Sequence, residues 1–242
     1  MLTLDNITWA APDGTSVLKG ITLTVPDNRL MVITGPNGGG KTTLAKIIAG
    51  LERPSSGRLL MDGEDITALD VTQRALRGVS FAFQQPVRFK GLTVRQLVEL
   101  ASGGRLGEDR LCDILSRVGL CAREYVGREV NATLSGGEMK RIEIATVLAR
   151  HTRLSVFDEP EAGIDLWSFT NLIGVFQDMR KSLRGTLMII SHQERILEIA
   201  DEIAVISGGE LLRKGPAADV LPTLFSAPGA CPKCLKKEAT AK

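Results

Sequence analysis

Residues 30–49 read Leu30-Met-Val-Ile-Thr-Gly-Pro-Asn-Gly-Gly-Gly-Lys-Thr-Thr-Leu-Ala-Lys-Ile-Ile-Ala49, and this stretch decides the fold. Leu30–Thr34 is a short apolar run of buried-strand character, and Leu44–Ala49 has helical character. Between them, Gly35–Thr43 fits G-x-x-x-x-G-K-[ST], a loop whose backbone N–H groups cradle phosphates. The glycines permit the tight turn, and the start of the following helix adds partial positive charge. Lys41 is placed to reach the β- and γ-phosphates of a nucleotide, and the Thr42 hydroxyl to ligate Mg²⁺. The expected nucleotide-binding set is Gly35, Asn37, Gly38, Gly40, Lys41, Thr42 and Thr43.

Working outward, Leu2 to about Val32 alternates apolar and polar residues (Leu2, Leu4; Leu18, Ile21, Leu23, Val25). Asp13-Gly14 and Pro26-Asp27-Asn28 punctuate it, which predicts antiparallel strands joined by turns. After the phosphate loop come a turn at Pro54–Gly57, a strand at Leu59–Gly63 and a buried strand at Val79–Phe83. From about Gly91 to Arg150 the pattern turns helical. One helix is capped by Thr93, a second carries Leu111, Ile114, Leu115 and Val118 and stops at Gly119, and a third carries Met139, Ile142, Ala145 and Leu148. The β/α alternation then resumes, with strands at Leu154–Phe157, Thr186–Ile190 and Ile203–Ile206 and helices near 169–183 and 193–200. The residues from about Ala227 read as a loose tail. The expected organisation is one domain over 1–226, with core segments 1–90 and 151–226, a helical subdomain at 91–150, and a flexible Cys-containing tail at 227–242.

The charge balance, 30 basic against 28 acidic residues, gives no reason to expect nucleic acid or an acidic membrane as partner. No run approaches the roughly 18 apolar residues of a membrane span, so no direct membrane insertion is expected. The N-terminus lacks the pattern of a secretory signal. Four cysteines are too few for a disulfide scaffold at this length, so the expectation is a cytoplasmic, reduced protein.

Four further elements lie in order along the chain. Gln84 follows the strand Val79–Phe83, with Gln85 the competing choice. Leu134-Ser-Gly-Gly-Glu138 leads into a helix. Asp158 stands at the end of the strand Leu154–Phe157 and is followed by Glu159, with Asp165 soon after. His192 follows the strand Thr186–Ile190. In this order and spacing the chain resembles the ATP-binding cassette (ABC) ATPases along nearly its whole length. The resemblance implies an α/β fold: a P-loop NTPase core of ABC ATPase type with an N-terminal antiparallel β subdomain and a helical insert. It implies ATP and Mg²⁺ as cofactors, and hydrolysis of ATP to ADP and phosphate. By the same resemblance Thr42, Gln84 and Asp158 serve the Mg²⁺. Glu159 serves as general base, and its carboxylate must be separate from the metal-holding one. His192 corresponds to the switch histidine and Gln84 to the glutamine linking core and helical insert. Ser135, Gly136 and Gly137 form the signature that completes the ATP site of a second subunit in a head-to-tail homodimer, and Asp165 crosses that interface.

Within this superfamily, Ser135-Gly-Gly-Glu-Met-Lys-Arg-Ile-Glu-Ile144 resembles the SufC-type ATPases of iron–sulfur cluster assembly. Phe81–Val87, Gly163-Ile-Asp165 and Ser191–Leu197 agree with that type. The resemblance implies a soluble SufB/SufD-like scaffold as partner, docked around Pro86–Gly91. Lys140 and Glu143 also have a plain reading as exposed helix charges. Pro160 departs from the type and matches transporter subunits, whose partner is a separate membrane permease; the alternative is therefore the nucleotide-binding subunit of an ABC importer. The adenine-stacking aromatic expected near Ala11 is missing. Trp9 is either its substitute or a core residue, the latter preferred. Cys231-Pro-Lys-Cys234 offers two thiolates on one turn, half of a Zn or Fe site, or else a tail without a role.

Overall fold

The computed structural model describes residues 1–85, 87–131, 133–150, 152–182 and 185–225. The chain opens with β1 (Leu2–Ala10) and β2 (Ser16–Val25), paired antiparallel across a turn at 11–15. Alternation, reset by an irregularity around Asn6 and Gly20, sends Leu2, Leu4, Ile7, Leu18, Ile21 and Leu23 into the buried core. Next come β3 (Leu30–Thr34), α1 (Lys41–Ala49), β4 (Ser56–Met61), β5 (Glu64–Asp65), α2 (Val71–Leu76) and β6 (Val79–Ala82). The insert holds α3 (Val94–Ser102), α4 (Glu108–Arg117), α5 (Ala122–Tyr125) and α6 (Gly136–Arg150). The chain returns through β7 (Leu154–Asp158), α7 (Leu166–Ser182), β8 (Thr186–Ile190), α8 (Glu194–Glu198), β9 (Glu202–Ser207), β10 (Glu210–Pro216) and α9 (Ala217–Phe225).

Two sheets result. One is antiparallel, in the order β2-β1-β4-β5. The other runs β10-β9-β3-β8-β7-β6, parallel except for the edge pair β10-β9. Every residue of β3, β7 and β8 is buried, as a parallel sheet covered on both faces requires. Helix α1 lies between the sheets. Leu44, Ile47 and Ile48 pack with Leu4 and Ile21 on one side and with Met31, Ile33 and Ile190 on the other. The opposite face of the parallel sheet (Val32, Phe157, Ile189) packs on the helices of the insert and the C-terminal half. The phosphate loop therefore emerges from the C-terminal edge of a fully buried strand and enters a helix clamped between two sheets.

Several boundaries differ from the sequence reading. β6 ends at Ala82, so Phe83 leaves the sheet. β7 runs one residue further and takes in Asp158, which is 2% exposed. Sequence reasoning passed over α2, although its reciprocal Asp70/Gln73 capping box is written in the sequence. It also passed over β10 and α9. Among the described residues no helix is long and apolar enough to cross a membrane. Cys231 and Cys234 lie outside the described residues.

Candidate functional site

A cleft of about 470 Å³ is lined by Asn37, the glycines that follow it, Lys41–Thr43, Gln84, Glu159 and Val17. Two glycines fix the loop. Gly35 has φ 133°, and a Cβ there would stand 2.0 Å from the Ile206 carbonyl of β9. Gly40 has φ 95°, and a Cβ there would meet Leu18 at 2.6 Å. A side chain at Gly35 would run into the β9 backbone and push the loop off its seat, and one at Gly40 would be strained by its positive φ. Lys41 is 6% exposed, and its Nζ donates to the carbonyls of Gly35 and Pro36 at 2.8 and 2.9 Å. Burial pulls its pKa down, opposed by the charges of Glu159 and Asp158.

The Thr42 hydroxyl donates to Asp158 Oδ1 at 3.2 Å, joining the start of α1 to the end of β7. Burial pushes the Asp158 carboxyl up, the Thr42 hydrogen bond pulls it down, and the Glu159 charge pushes it up again. A hydroxyl beside a desolvated carboxylate is an all-oxygen donor set of the kind Mg²⁺ takes, and a cation there would relieve the cost of burying the charge. Glu159, the next residue, has φ 44°. The other non-glycine residues with positive φ among those described are Asn or Asp, which tolerate that region; Glu159 is the one held there against its preference. Its N–H bonds the Ile190 carbonyl of β8 at 3.0 Å, and its Oε2 accepts from Gln84 Nε2 at 2.6 Å. Gln84 rather than Gln85 thus faces the candidate base.

The remaining predicted residues stand elsewhere. Gly136 and Gly137 open α6, Ser135 stands just before it, and none of the three lines the cleft. Gly136 adjoins the Gly163 carbonyl, in the segment that carries the exposed Asp165. His192 is exposed and also outside the cleft lining. Trp9 is half-buried against the core beneath β1 and β2, paired with Leu18 across the strands, and Val17 is the β2 residue at the cleft.

Three acidic positions went unassigned or underread in the sequence. Glu138 closes a capping box with Ser135: Ser135 N–H donates to Oε2 at 2.7 Å, and Glu138 N–H donates to Ser135 Oγ at 3.2 Å. Tyr125 and Arg128 donate to its other oxygen. Desolvation would raise this carboxyl, but those bonds from Tyr125, Ser135 and Arg128 hold it down at about 2. Glu161 accepts from the Ser191 hydroxyl beside His192, and burial raises its pKa. Glu143, also raised by burial, pairs at 3.0 Å with Lys140, whose side chain is 1% exposed; these are not exposed helix charges. The Ser-x-x-Glu spacing announces the first of these; no sequence signal marks the other two as buried. Beside Glu143 an apolar groove of about 230 Å³ is lined by Phe81, Phe83, Phe89, Leu97, Met139 and Ile142, among others.

A family model described as "ABC transporter" matches residues 18–162. An uncharacterized ABC transporter ATP-binding protein of Methanocaldococcus jannaschii is 37% identical, covering 91% of this chain and 90% of that protein. The sulfate/thiosulfate import ATP-binding protein CysA of Synechocystis is 33% identical over 90% of this chain, which spans only 61% of CysA. Among solved structures, cbiO1 of Clostridium perfringens, part of the ABC transporter complex cbiONQ, superposes with a TM-score of 0.77 at 28% identity, covering 91% of this chain and 90% of that one.

Proposed function

Because this chain belongs to the ABC transporter family of ATP-binding proteins and is an ATPase, we propose that it is the motor subunit of a larger cytoplasmic-side machine. In this reading two copies close head to tail around ATP and drive a separate partner. One observation carries it: the cleft gathers the phosphate loop, Gln84 and Glu159, while Ser135–Gly137 lie outside it. A signature at a helix start, away from its own chain's cleft, is placed to serve the cleft of another subunit. The arginine- and tyrosine-bound Glu138 helps here, because its negative charge is compensated before a phosphate arrives.

Lys41 binds the phosphates, and Gly35, Asn37, Gly38, Gly40 and Thr43 shape the loop around them. Thr42 and Asp158 would hold Mg²⁺, with Gln84 within reach. The ion would neutralise charge that builds on the phosphate oxygens. Glu159 orients and deprotonates the attacking water, and its left-handed backbone aims the carboxylate into the cleft. His192 and Asp165 act at the closed interface. Replacing Glu159 by Gln should leave ATP bound and the closed dimer trapped. Normal hydrolysis by that variant would remove the assignment of the base.

For the partner, the likeness to import ATP-binding proteins such as CysA supports a separate membrane permease. The aromatic groove beside Gln84 is the proposed docking place. A second reading, a SufB/SufD-like scaffold of iron–sulfur assembly, is favoured by a specific observation: Lys140 and Glu143, which carry the resemblance to that type, are buried and bonded to the segment before Gln84. Gentle anaerobic purification of the native complex separates the two. A co-purifying multi-span membrane protein supports the first; a soluble partner with bound iron and sulfide supports the second. Iron bound through Cys231 and Cys234 of this chain would appear in the same experiment, and its persistence after both are changed to Ser would exclude them.

A further inference from the structure

Lys140 and Glu143 sit one turn apart on α6, and both reach the backbone of a single residue. Glu143 Oε1 accepts from Phe83 N–H at 2.9 Å, and Lys140 Nζ donates to the Phe83 carbonyl. The reason lies in the sheet. β6 is its edge strand and ends at Ala82, so the polar backbone groups of Phe83 have left the ladder. Two charges from α6 replace the missing strand, and their mutual ion pair makes that burial tolerable. The next residue is Gln84, exposed at its side chain, with its amide on Glu159 at 2.6 Å. The geometry points to Lys140 and Glu143 as positioning residues for hydrolysis: they hold the Phe83 backbone and thereby set Gln84 against Glu159.

The helix that supplies this clamp is also the helix that begins with Ser135–Gly137. A displacement of α6 at its signature end therefore reaches the candidate base through Phe83 and Gln84. Glu143 and Phe83 further line the apolar groove, so a partner seated there would press on the same joint. The phosphate loop is held by separate contacts, on β9 and β2. The clamp should accordingly govern kcat and leave the KM for ATP alone. The inference rests on Gln84 and Glu159 being the ATPase residues proposed above.

The test is a double-mutant cycle on the full chain, reading steady-state ATP hydrolysis. Glu143→Ala should lower kcat roughly ten- to hundredfold, the scale of a misplaced catalytic group, with KM within about twofold. Gln84→Ala should give a similar loss. The double variant should lose no more than the worse single variant, because both act through one contact. Glu143→Gln, which keeps an acceptor for Phe83 N–H, should fall between wild type and Glu143→Ala. Losses that multiply in the double variant, or a KM that rises in step, would overturn the proposal and leave the pair a matter of stability. If Glu143→Ala does not fold, Lys140→Met/Glu143→Leu removes both charges while filling their space, and the cycle is run with that. Glu159→Gln is the control. Wild-type turnover in it would sink the reading of the site and this proposal together. A dead Glu159→Gln with multiplying clamp losses would sink this proposal alone.

Discussion

Arg74 is the test of how the nucleotide helix is held. The side chain belongs to α2, yet only 1% of the residue is exposed. Its guanidinium donates to the carbonyls of Ile47 and Ile48 at the C-terminal end of α1, and to those of Leu69 and Thr67 at 3.0 and 2.9 Å. A cation on the last carbonyls of α1 also suits the negative end of that helix. Hydrogen bonds to a charged group are worth about 1.5–3 kcal/mol each. The four share one guanidinium, so their contributions do not add. Breaking a buried charged network of this kind costs about 3–5 kcal/mol. Arg74→Met keeps much of the volume and abolishes all four bonds, so it should lose about that much stability. At this chain length that corresponds to a melting point lower by roughly 6–20 °C. Urea unfolding followed by circular dichroism, with unchanged slope, is the assay. Arg74→Lys should recover only part, since one ammonium cannot span carbonyls arranged around a planar fork. A loss below about 1 kcal/mol for Arg74→Met would show that the bonds merely compensate desolvation, and the account of α1 as anchored at its C-terminal end would fall.

Three other outcomes follow from the site. Lys41→Ala should abolish productive ATP binding, read by equilibrium binding of a fluorescent ATP analogue; unchanged affinity would detach Lys41 from the phosphates. Gly35→Ala should cost both stability and nucleotide binding, because its Cβ would lie 2.0 Å from the Ile206 carbonyl; a wild-type melting point would mean the loop can shift freely. Glu138, held at about 2 in the folded chain, has a depressed pKa. It therefore contributes stability above its unfolded pKa, and loses it as pH falls from about 4.5 towards 2. Glu138→Gln should destabilise the protein at pH 7 and flatten that acid limb. Melting curves of both proteins across pH 2–7 that stay parallel would contradict the bond network around Ser135, Tyr125 and Arg128.

The phosphate loop and the strand and helix around it were legible because local demands coincide there. Gly35 and Gly40 occupy backbone regions that favour glycine, and the strand is buried on both faces. Asp158 and Glu159 were legible as a pair, but not the positive φ of the second. α2 was missed despite its capping box, because its six residues expose Val71 and Leu76 and carry no apolar stripe. β10 was missed because Glu210–Pro216 is a half-exposed edge strand with neither alternation nor an apolar run. Trp9 packs partly buried against the core, in keeping with the reading preferred for it.

Lys140 and Glu143 show why charge is a poor guide to exposure in the insert. Spacing alone assigns Met139 and Ile142 to the inner face of α6 and these two to water. In the fold α6 is enclosed from several directions: Met139, Lys140, Ile142, Ile144, Ala145, Val147 and Leu148 are all buried. A helix enclosed in that way has little polar face left for charges to occupy, so a charged residue on it must find a specific partner or be excluded. The partner here is created by the strand that stops one residue early. β6 is the edge strand, so no strand lies on its outer side to take those backbone groups. Phe83 therefore depends on α6 for both of them. Deleting the pair should free the Phe83 backbone and with it Gln84, and the clamp variants measure that directly.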